Sequence, residues 1–400
     1  MFSARCAVVA FLSLSGLVAC ASPRLLLMGP VPAYPRTARA DIKAVTFNAG
    51  LAPGITRYAK QRAAAVAEEL SRFDYDLLCV QEVWNEDDRQ TVVSALNLPP
   101  ENVYYVDTKG EGETGQDVCT PAELADILGC AKKKCVDEPP DETTTCAAKQ
   151  CLEQGIWLYL HSRSCLNCLT ASAGKSIEDI VGTCTSKTGA SRSYGGSNGV
   201  ILASRWPLMD KTNVGLPSSG ANRVALTARV EVPGKGPVEV VCTHLSASNE
   251  VSPTNPVFSD WAEEQQAQVR LISERLALRA AGRPQVLMGD MNFGQRNEPI
   301  VSALMWTSWR LAADLGFVSP VEYAEPPFCT WCRSNRLTGA ETDHLIDHVM
   351  FRNPSGGHGL VPVCSYRLFD KPIVILDWRG RKIVTNLSDH YGTAVELDLR

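Results

Sequence analysis

The stretch Asn386-Leu387-Ser388-Asp389-His390-Tyr391, near the C-terminal end of the 400-residue chain, determines how the rest of the sequence is interpreted. Its Asp389-His390 pair alone carries little information. Four further short polar motifs precede it, and each ends an apolar run that is typical of a strand. They are Phe47-Asn48, Gln81-Glu82, Thr243-His244 and Gly289-Asp290-Met291-Asn292. Five such motifs at strand ends favour one shared site over five unrelated polar strand ends.

The composition is that of a globular protein long enough to bury a large core. The formal net charge of −5 is mildly acidic. This charge argues against a generally basic surface for nucleic acids, although it leaves room for a local basic patch.

The N-terminal segment predicts export. Residues 1–19 have the pattern of a signal peptide, with an apolar stretch too short to span a bilayer. Leu17-Val18-Ala19-Cys20 resembles a bacterial lipobox, in which Cys20 would be lipidated and become the mature N-terminus. Residues 20–40 are proline-rich and predict a tether. The expected location is the cell envelope, as an outer-membrane lipoprotein; the alternative is an ordinary signal peptide and a secreted protein.

Cysteine usage agrees with export. Eight of the 15 cysteines lie between residues 119 and 184, which predicts a segment stapled by disulfides. A zinc site is the alternative, because Cys165-x-x-Cys168 and Cys329-x-x-Cys332 have spacings typical of metal ligands. Cys79 and Cys242 lie inside apolar runs and are expected to be plain core residues.

Alternation and periodicity predict an α/β fold, in which two packed sheets are covered by helices. Residues 41–400 form the expected domain, interrupted by a cysteine-rich insertion at about 108–192. The expected strands are Ile42–Asn48, Tyr75–Gln81, Gly199–Ala203, Arg223–Val232, Val238–Leu245, Gln285–Asn292, Leu345–Arg352, Lys382–Val384 and Gly392–Leu399. The expected helices are Arg57–Phe73, Phe258–Ala281 and Ile300–Leu311, with Ala122–Leu128 and Ala147–Leu160 inside the insertion.

The motif residues suit metal-dependent hydrolysis of a phosphodiester. This reaction needs the phosphate charge neutralised, a water activated and the leaving oxygen stabilised. Glu82, Asp389 and the amide of Asn48 offer the oxygen ligands that Mg²⁺ prefers. Mn²⁺ or another divalent ion is the alternative.

Two further groups supply the proton chemistry. Asp290 and Asn292 are two residues apart, so on a strand both side chains point the same way. Asp290 can orient or deprotonate a water, and Asn292 can donate to a phosphate oxygen. His390 is the first candidate for a general acid or base, with Asp347 as its orienting partner. His244 can bind phosphate or protonate the leaving oxygen.

These motifs resemble, in type and order, those of the endonuclease/exonuclease/phosphatase superfamily. The resemblance implies a DNase I-like four-layer α/β sandwich of two packed mixed sheets flanked by helices. It also implies that Glu82 is the principal Mg²⁺ ligand, with Asn48 and Asp389 close by. The remaining residues of the site are implied to be the His390–Asp347 pair together with Asp290, Asn292 and His244. The motifs that carry the resemblance are Asn48, Gln81-Glu82, residues 197–205, Thr243-His244, Gly289-Asp290-Met291-Asn292, Ile346-Asp347-His348 and Ser388-Asp389-His390.

Within this superfamily, the secreted sphingomyelinase C branch is the most similar. Residues 243–247 and Phe328-Cys329-Thr330-Trp331 resemble that branch, whereas no long aromatic hairpin is evident. The expected substrate is a membrane phospholipid of sphingomyelin type. One alternative is an extracellular DNase-like endonuclease acting on nucleic acid. Another is a catalytically inactive adhesion or interaction lipoprotein. The arginines that could line a nucleic-acid groove are Arg192, Arg205, Arg223, Arg333 and Arg336.

Overall fold

The computed structural model describes residues 40–107, 119–186, 192–248, 257–280, 282–297, 301–324, 326–355 and 359–400. The signal peptide, Cys20 and nearly all of the tether lie outside the described residues, so the lipoprotein anchor stays a prediction. Among the residues that the structure describes, no helix is both long enough and apolar enough to cross a membrane.

The described residues form strands β1 to β13 and helices α1 to α9, numbered in chain order. The strands are β1 Ile42–Leu51, β2 Leu77–Val83, β3 Val103–Tyr104, β4 Ile201–Ser204, β5 Met209–Leu216, β6 Arg223–Val232, β7 Gly236–His244, β8 Gln285–Asp290, β9 Asp347–Arg352, β10 Leu360–Leu368, β11 Ile373–Leu376, β12 Lys382–Thr385 and β13 Gly392–Leu399. The helices are α1 Ala59–Arg72, α2 Glu86–Leu96, α3 Pro121–Lys134, α4 Pro140–Gln150, α5 Leu152–His161, α6 Arg163–Ala171, α7 Ile177–Cys184, α8 Trp261–Ala280 and α9 Trp306–Asp314.

Two mixed sheets carry the fold. One has the strand order β10-β13-β1-β2-β4-β3 and the other β5-β6-β7-β8-β9, while β11 and β12 form a separate hairpin. The pairs β1/β2 and β7/β8 are parallel, and the other neighbouring strands run antiparallel. The predicted pair of mixed sheets is confirmed.

Side-chain alternation along β1 shows why the layers pack as they do. Ile42 and Ala44 belong to the core between the two sheets, whereas Val45 and Phe47 pack on the opposite face with α1 and α2. On the far side, a third core joins the β5–β9 sheet to α8 and α9. Strands with both faces buried and helices outside them make four layers, as the sequence predicted.

The expectation that Cys79 and Cys242 are plain core residues was wrong. Cys79 on β2 and Cys242 on β7 form a disulfide, with their Cα atoms 5.3 Å apart. The two strands belong to different sheets, and both cysteines point into the core between them. Nothing in two positions 163 residues apart reveals that these strands face each other.

The cysteine-rich segment is a stack of helices α3 to α7 held by disulfides. Its eight cysteines pair as Cys119–Cys165, Cys130–Cys151, Cys135–Cys146 and Cys168–Cys184. The disulfide interpretation is therefore confirmed. The zinc interpretation is wrong for both motifs, because Cys165 and Cys168 have different partners and Cys329 pairs with Cys332. Residues 108–118 and 187–191, at the ends of the expected insertion, lie outside the described residues.

The helix expected at Ile300–Leu311 begins later than its apolar pattern suggested. Val301 instead pairs with Asn297 in an isolated bridge, and Met305 has a left-handed backbone with φ 44°. Helix α9 starts only at Trp306. The bridge and the turn at Met305 use backbone groups that a helix would otherwise need.

Candidate active site

The strand ends of both sheets meet at one edge of the core. Because β1 and β2 are parallel, Asn48 lies beside Gln81 in register, next to Glu82. In the other sheet, the parallel pair β7/β8 places His244 directly beside Asp290. The four motifs predicted from the sequence are thus brought to the same place by two parallel strand pairs.

Asn48 connects the two sheets at this edge. Its Nδ2 atom donates to Glu82 Oε1 at 3.1 Å and to Asp290 Oδ2 at 2.9 Å. Its Oδ1 atom accepts from the backbone N–H of Gly50 at 3.0 Å, which fixes the orientation of the amide. In this arrangement Asn48 positions two carboxylates, and its role as an oxygen ligand stays a prediction.

His390 and Asp347 form the expected pair. His390 Nδ1 lies 2.9 Å from Asp347 Oδ2, and both side chains are buried. The other ring nitrogen, Nε2, faces Asp290 Oδ2 at 3.8 Å. The imidazole is therefore held by one carboxylate and directed at another.

His244 and Asn292 lie on the other side of Asp290. His244 Nε2 is 3.4 Å from Asp290 Oδ2 and 3.1 Å from Asn292 Nδ2. Since an amide nitrogen only donates, His244 Nε2 accepts this hydrogen bond. Asn292 Nδ2 also donates to the carbonyl of Leu245 at 3.1 Å, so its amide is held by two protein atoms.

Asp389 approaches the end of β1 very closely. Its carboxylate accepts from Thr56 Oγ1 at 3.0 Å and from Ser388 Oγ at 3.1 Å. A Cβ atom on Gly50 would lie 2.3 Å from Asp389 Oδ1, and Gly50 has φ +54°. Only glycine combines this backbone conformation with so close an approach.

Two of the motif residues have strained backbones. Glu82 has φ 57° and Asn292 has φ 50°. Asparagine tolerates the left-handed region, whereas it is costly for glutamate. Such strain persists only where the surroundings enforce it, and it is common at functional sites. The backbone conformation of Glu82 is thus a second indication, independent of its carboxylate, that this residue belongs to a functional site.

Burial and mutual repulsion perturb the carboxylates. Burial raises the pKa of Glu82, and the negative charge of Asp389 raises it further. Burial also raises the pKa of Asp290 to about 7, with a further contribution from Asp347. The protein alone therefore does not fully stabilise the negative charges of Glu82 and Asp290.

The two histidines shift in opposite directions. Burial lowers the pKa of His390, but the carboxylates of Asp347, Asp290 and Asp389 outweigh it and raise that pKa well above its usual value. Burial lowers the pKa of His244 well below its usual value, and the positive charges of Arg223 and His390 add to this effect. His390 is thus suited to carry a proton, and His244 to remain neutral.

The donor set fits a divalent cation. Ligand atoms of Glu82, His244 and Asp290 lie within 4.8 Å of one another, as do those of Asp290, Asp347 and His390. Buried carboxylates that repel one another favour a cation between them, and their oxygens suit a hard ion. Of the two carboxylate ligands predicted from the sequence, Glu82 belongs to one of these groups and Asp389 to neither, so the predicted ligand set stays a prediction.

Sequence reasoning did not assign Arg223 to this site, naming it only among possible groove arginines. Arg223 is 8% exposed and lies close enough to Glu82 and Asp290 to interact with their charges. Within the described part of the chain, its Nε and Nη1 atoms have no hydrogen-bond partner. Its guanidinium also stands 5.7 Å from the ring of Trp84. A buried arginine with open donors next to a carboxylate cluster is equipped to bind an anion.

The loop closed by the Cys329–Cys332 disulfide supports the histidine pair. Thr330 Oγ1 accepts from the backbone N–H of Asp347 at 3.2 Å. The ring of Trp331 meets the ring of His390 edge-on, with centroids 4.8 Å apart. The sequence singled out this loop for its resemblance to sphingomyelinases, but not for these contacts.

The sequence profile described as the Endonuclease/Exonuclease/phosphatase family matches residues 45–390. The chain belongs to this family. The match includes strands of both sheets and every motif residue of the site, so this family member is a hydrolase of phosphate esters. No curated protein is detectably similar in sequence.

Solved structures similar to this family member share its fold. Sphingomyelinase C from Streptomyces griseocarneus is 16% identical, with a TM-score of 0.50 over 89% of this chain and 98% of that chain. Beta toxin from Staphylococcus aureus, in a mutant form with bound magnesium ions, is 13% identical, with a TM-score of 0.52 over 89% and 99% of the two chains. The protein SmcL is also 13% identical, with a TM-score of 0.53 over the same shares.

Proposed function

We propose that this protein is an exported, Mg²⁺-dependent phosphodiesterase that hydrolyses a phospholipid of sphingomyelin type at a membrane surface. The observation that carries the lipid substrate is an apolar hairpin next to the site. Strands β11 and β12 form this hairpin, and β12 ends at Thr385, four residues before Asp389.

The hairpin has one face packed on the domain and one face in solvent. Ile375 is buried, whereas Val374, Leu376 and Val384 are 51%, 57% and 50% exposed. Val374 pairs directly with Val384, so these side chains share the outer face. Exposed apolar side chains grouped in this way mark an interaction surface.

The tip of the hairpin adds an aromatic residue to this face. Trp378 is 39% exposed, and the guanidinium of Arg379 lies 4.2 Å from the centre of its ring. Asp377 Oδ1 accepts from the backbone N–H groups of Arg379 and Arg381, which orders the turn. Tryptophan and arginine together suit the boundary between lipid headgroups and acyl chains. This hairpin is short and carries one aromatic residue. It is therefore different from a long aromatic hairpin, which is not evident in the sequence.

The site residues have complementary parts in this proposal. Glu82 and Asp389 would hold Mg²⁺, which neutralises phosphate charge and polarises the scissile bond when bound. Asp290 orients the attacking water and accepts its proton. His390, held by Asp347, gives its proton to the leaving oxygen as the phosphorus–oxygen bond breaks. The open donors of Arg223 bind the same phosphate, and Asn292, whose amide donates to His244 and to the carbonyl of Leu245, holds His244 in place.

Export is supported by the cysteines of the folded domain. The disulfide stack of α3–α7 and the Cys79–Cys242 bridge are typical of proteins that fold in an oxidising compartment. The lipobox-like segment before Cys20 adds an attachment to the envelope membrane as part of the proposal.

The test is a substrate panel with purified protein and Mg²⁺: sphingomyelin and lysophospholipid vesicles, duplex DNA and soluble inositol phosphates. We expect sphingomyelin hydrolysis that EDTA abolishes and His390→Ala removes. Arg310→Ala changes an exposed residue on α9, in the helical layer behind the β5–β9 sheet, and serves as the control. Preferential cleavage of DNA would overturn the lipid substrate, and full activity of His390→Ala would overturn the mechanism.

A further inference from the structure

Helix α5 of the cysteine-rich segment presents an apolar face to solvent. Leu152, Ile156 and Leu160 recur every four residues, so they lie along one side of the helix. They are 60%, 52% and 67% exposed, and Trp157 beside them is 47% exposed. Singly exposed apolar side chains are ordinary, but four on two and a half turns of one helix form a patch.

The patch belongs to a firmly held helix. The Cys130–Cys151 disulfide joins α3 to the residue that precedes α5. On its inner side, Leu158 is buried in a core formed with α3, α6 and α7. Since α5 is anchored from within, the outward face is a stable feature of the folded segment.

Lysines cluster beside the patch, while α5 itself carries one exposed acidic residue, Glu153, in its first turn. The last turn of α3 is Lys132-Lys133-Lys134, all three exposed, and Lys134 Nζ donates to the carbonyl of Gln150 just before α5. Lys149 at the end of α4 is also exposed. Lysine is depleted in protein–protein interfaces, whereas lysine beside tryptophan and leucine is typical of helices that lie on anionic bilayers.

The segment also touches the apolar hairpin. Arg379 at the hairpin tip donates to the carbonyl of Asp137 at 3.1 Å and pairs with its carboxylate at 3.5 Å. Val136, the neighbouring residue, is 74% exposed. The cysteine-rich segment is thus in contact with the hairpin that carries the proposed lipid contact.

We infer that α5 is a second membrane-docking element, which lies flat on a bilayer containing anionic phospholipid. At ten residues the helix is about 15 Å long, which is too short to span a bilayer and suits an interfacial position. Leu152, Ile156, Trp157 and Leu160 enter the headgroup boundary while Lys132 and Lys133 meet lipid phosphates. The inference extends the proposed function, because it assigns the extra segment a role in holding the enzyme on its substrate surface.

The experiment measures quenching of tryptophan fluorescence by brominated phospholipid in vesicles, with EDTA present so that no lipid is hydrolysed. It uses the full chain, and the comparison of single tryptophan variants distinguishes lipid contact at α5 from attachment through the N-terminal segment. The chain has eight tryptophans, so each contribution is the difference between wild type and one Trp→Phe variant. Trp306→Phe is the matched control. Trp306 is 46% exposed and lies on α9, in the helical layer that packs on the β5–β9 sheet.

We expect Trp157→Phe to lose a clear part of the quenching on vesicles containing phosphatidylglycerol, and Trp306→Phe to lose none. Combining Lys132→Gln with Lys133→Gln should reduce the Trp157 signal to its level on purely zwitterionic vesicles. Equal effects of Trp157→Phe and Trp306→Phe would overturn the inference. So would a concentration-dependent dimer that Leu152→Ser, Ile156→Ser and Leu160→Ser together abolish, because the face would then bind a second copy. Trp157 quenching without sphingomyelin hydrolysis would support the docking surface and refute only the proposed function.

Discussion

His390 Nδ1 lies 2.9 Å from Asp347 Oδ2, although the two residues are 43 positions apart. Asp347 begins β9 in one sheet, and His390 precedes β13 in the other. The pair is therefore formed across the core between the sheets, and it exists only when both sheets are packed. The buried carboxylate of Asp347 keeps the imidazole oriented towards Asp290 and raises the pKa of His390.

Asp347→Asn tests this pair without changing its shape. We expect activity to fall by about 10²–10⁴-fold, because an amide can no longer stabilise the charged imidazole. Measured kcat on the preferred phosphodiester decides the outcome. Asp370→Asn, which removes a carboxylate paired with Arg367 near the surface, is the control. Activity of Asp347→Asn within a few-fold of wild type would contradict the proposed role.

Glu82→Gln should separate stability from function. Burial and the charge of Asp389 raise the pKa of Glu82, so its ionised form destabilises the metal-free fold at neutral pH. We expect the metal-free variant to melt at a higher temperature than wild type and to be inactive. Mg²⁺ at 100 times its Kd should stabilise wild type by about 2.7 kcal/mol, and the variant by much less. Calorimetry with and without Mg²⁺ measures both effects, with the exposed Glu178→Gln as control.

Gly50→Ala should damage the site through contact and strain together. The new Cβ atom would lie 2.3 Å from Asp389 Oδ1, at a residue with φ +54°. We expect a loss of about 1–3 kcal/mol in unfolding free energy from the backbone, together with a displaced Asp389 and reduced activity. Gly234 has φ +71° but open space around it, so Gly234→Ala should lose about 1 kcal/mol and keep full activity. Equal activity of the two variants would contradict the proposed role of this close approach.

The Cys79–Cys242 disulfide should stabilise the protein more than a bridge that closes a short loop. It spans 163 residues, whereas Cys135–Cys146 spans 11. Loop entropy predicts that replacing Cys79 and Cys242 by alanine lowers the unfolding free energy by about 5 kcal/mol. The same replacement of Cys135 and Cys146 should lower it by about 3 kcal/mol. Urea unfolding under non-reducing conditions compares the two double variants. A larger loss for the Cys135–Cys146 variant would contradict this prediction. It would show that the inter-sheet disulfide does not act mainly by restricting the unfolded chain.

His348 should make the protein less stable in acid. Its Nε2 atom donates to the carbonyl of Phe293 at 2.9 Å, and Ser319 Oγ lies 2.8 Å from Nδ1. Burial lowers the pKa of His348 from 6.5 to about 4. The unfolded chain therefore takes up the proton first as pH falls, and this contribution to stability is lost between pH 6.5 and 4, by up to about 3 kcal/mol.

Denaturant unfolding of wild type and His348→Gln across this pH range isolates that contribution. The difference in unfolding free energy between the two proteins should shrink as pH falls. A difference independent of pH would show that His348 is not buried as a neutral ring. His161→Gln, at an exposed position, should leave the pH profile unchanged.

Strands with clear alternation were predicted closely. Two strands have the expected bounds, Arg223–Val232 and Gly392–Leu399. Each is largely buried, and its own residue pattern is typical of a strand. Strand β5, Met209–Leu216, was missed because it lies at a sheet edge and is mostly exposed, so its pattern is weak. Helix α2 was missed because acidic residues fill its first turn and its apolar face is small.

The motif residues of the site were predicted, but several supporting residues were not. Arg62 is fully buried on α1 and donates to the carbonyls of Ala49 and Leu387, in the two segments that carry Asn48 and Asp389. Burial lowers its pKa to about 10. In the sequence it is one charged residue of an amphipathic helix, and its inward position depends on chain segments 325 residues apart.

The sequence by itself determined the chemistry: which carboxylates, amides and histidines end which strands, and that two packed sheets carry them. Alternation with period two and the polar ends of strands are local properties, so they can be read without the fold. The tertiary structure decided which strand ends converge, that Cys79 bonds Cys242 across the core, and that Arg223 faces the carboxylates. It also decided that the apolar faces of α5 and the hairpin are exposed within the described part of the chain. These are relations between distant segments, and they arise only when the two sheets pack.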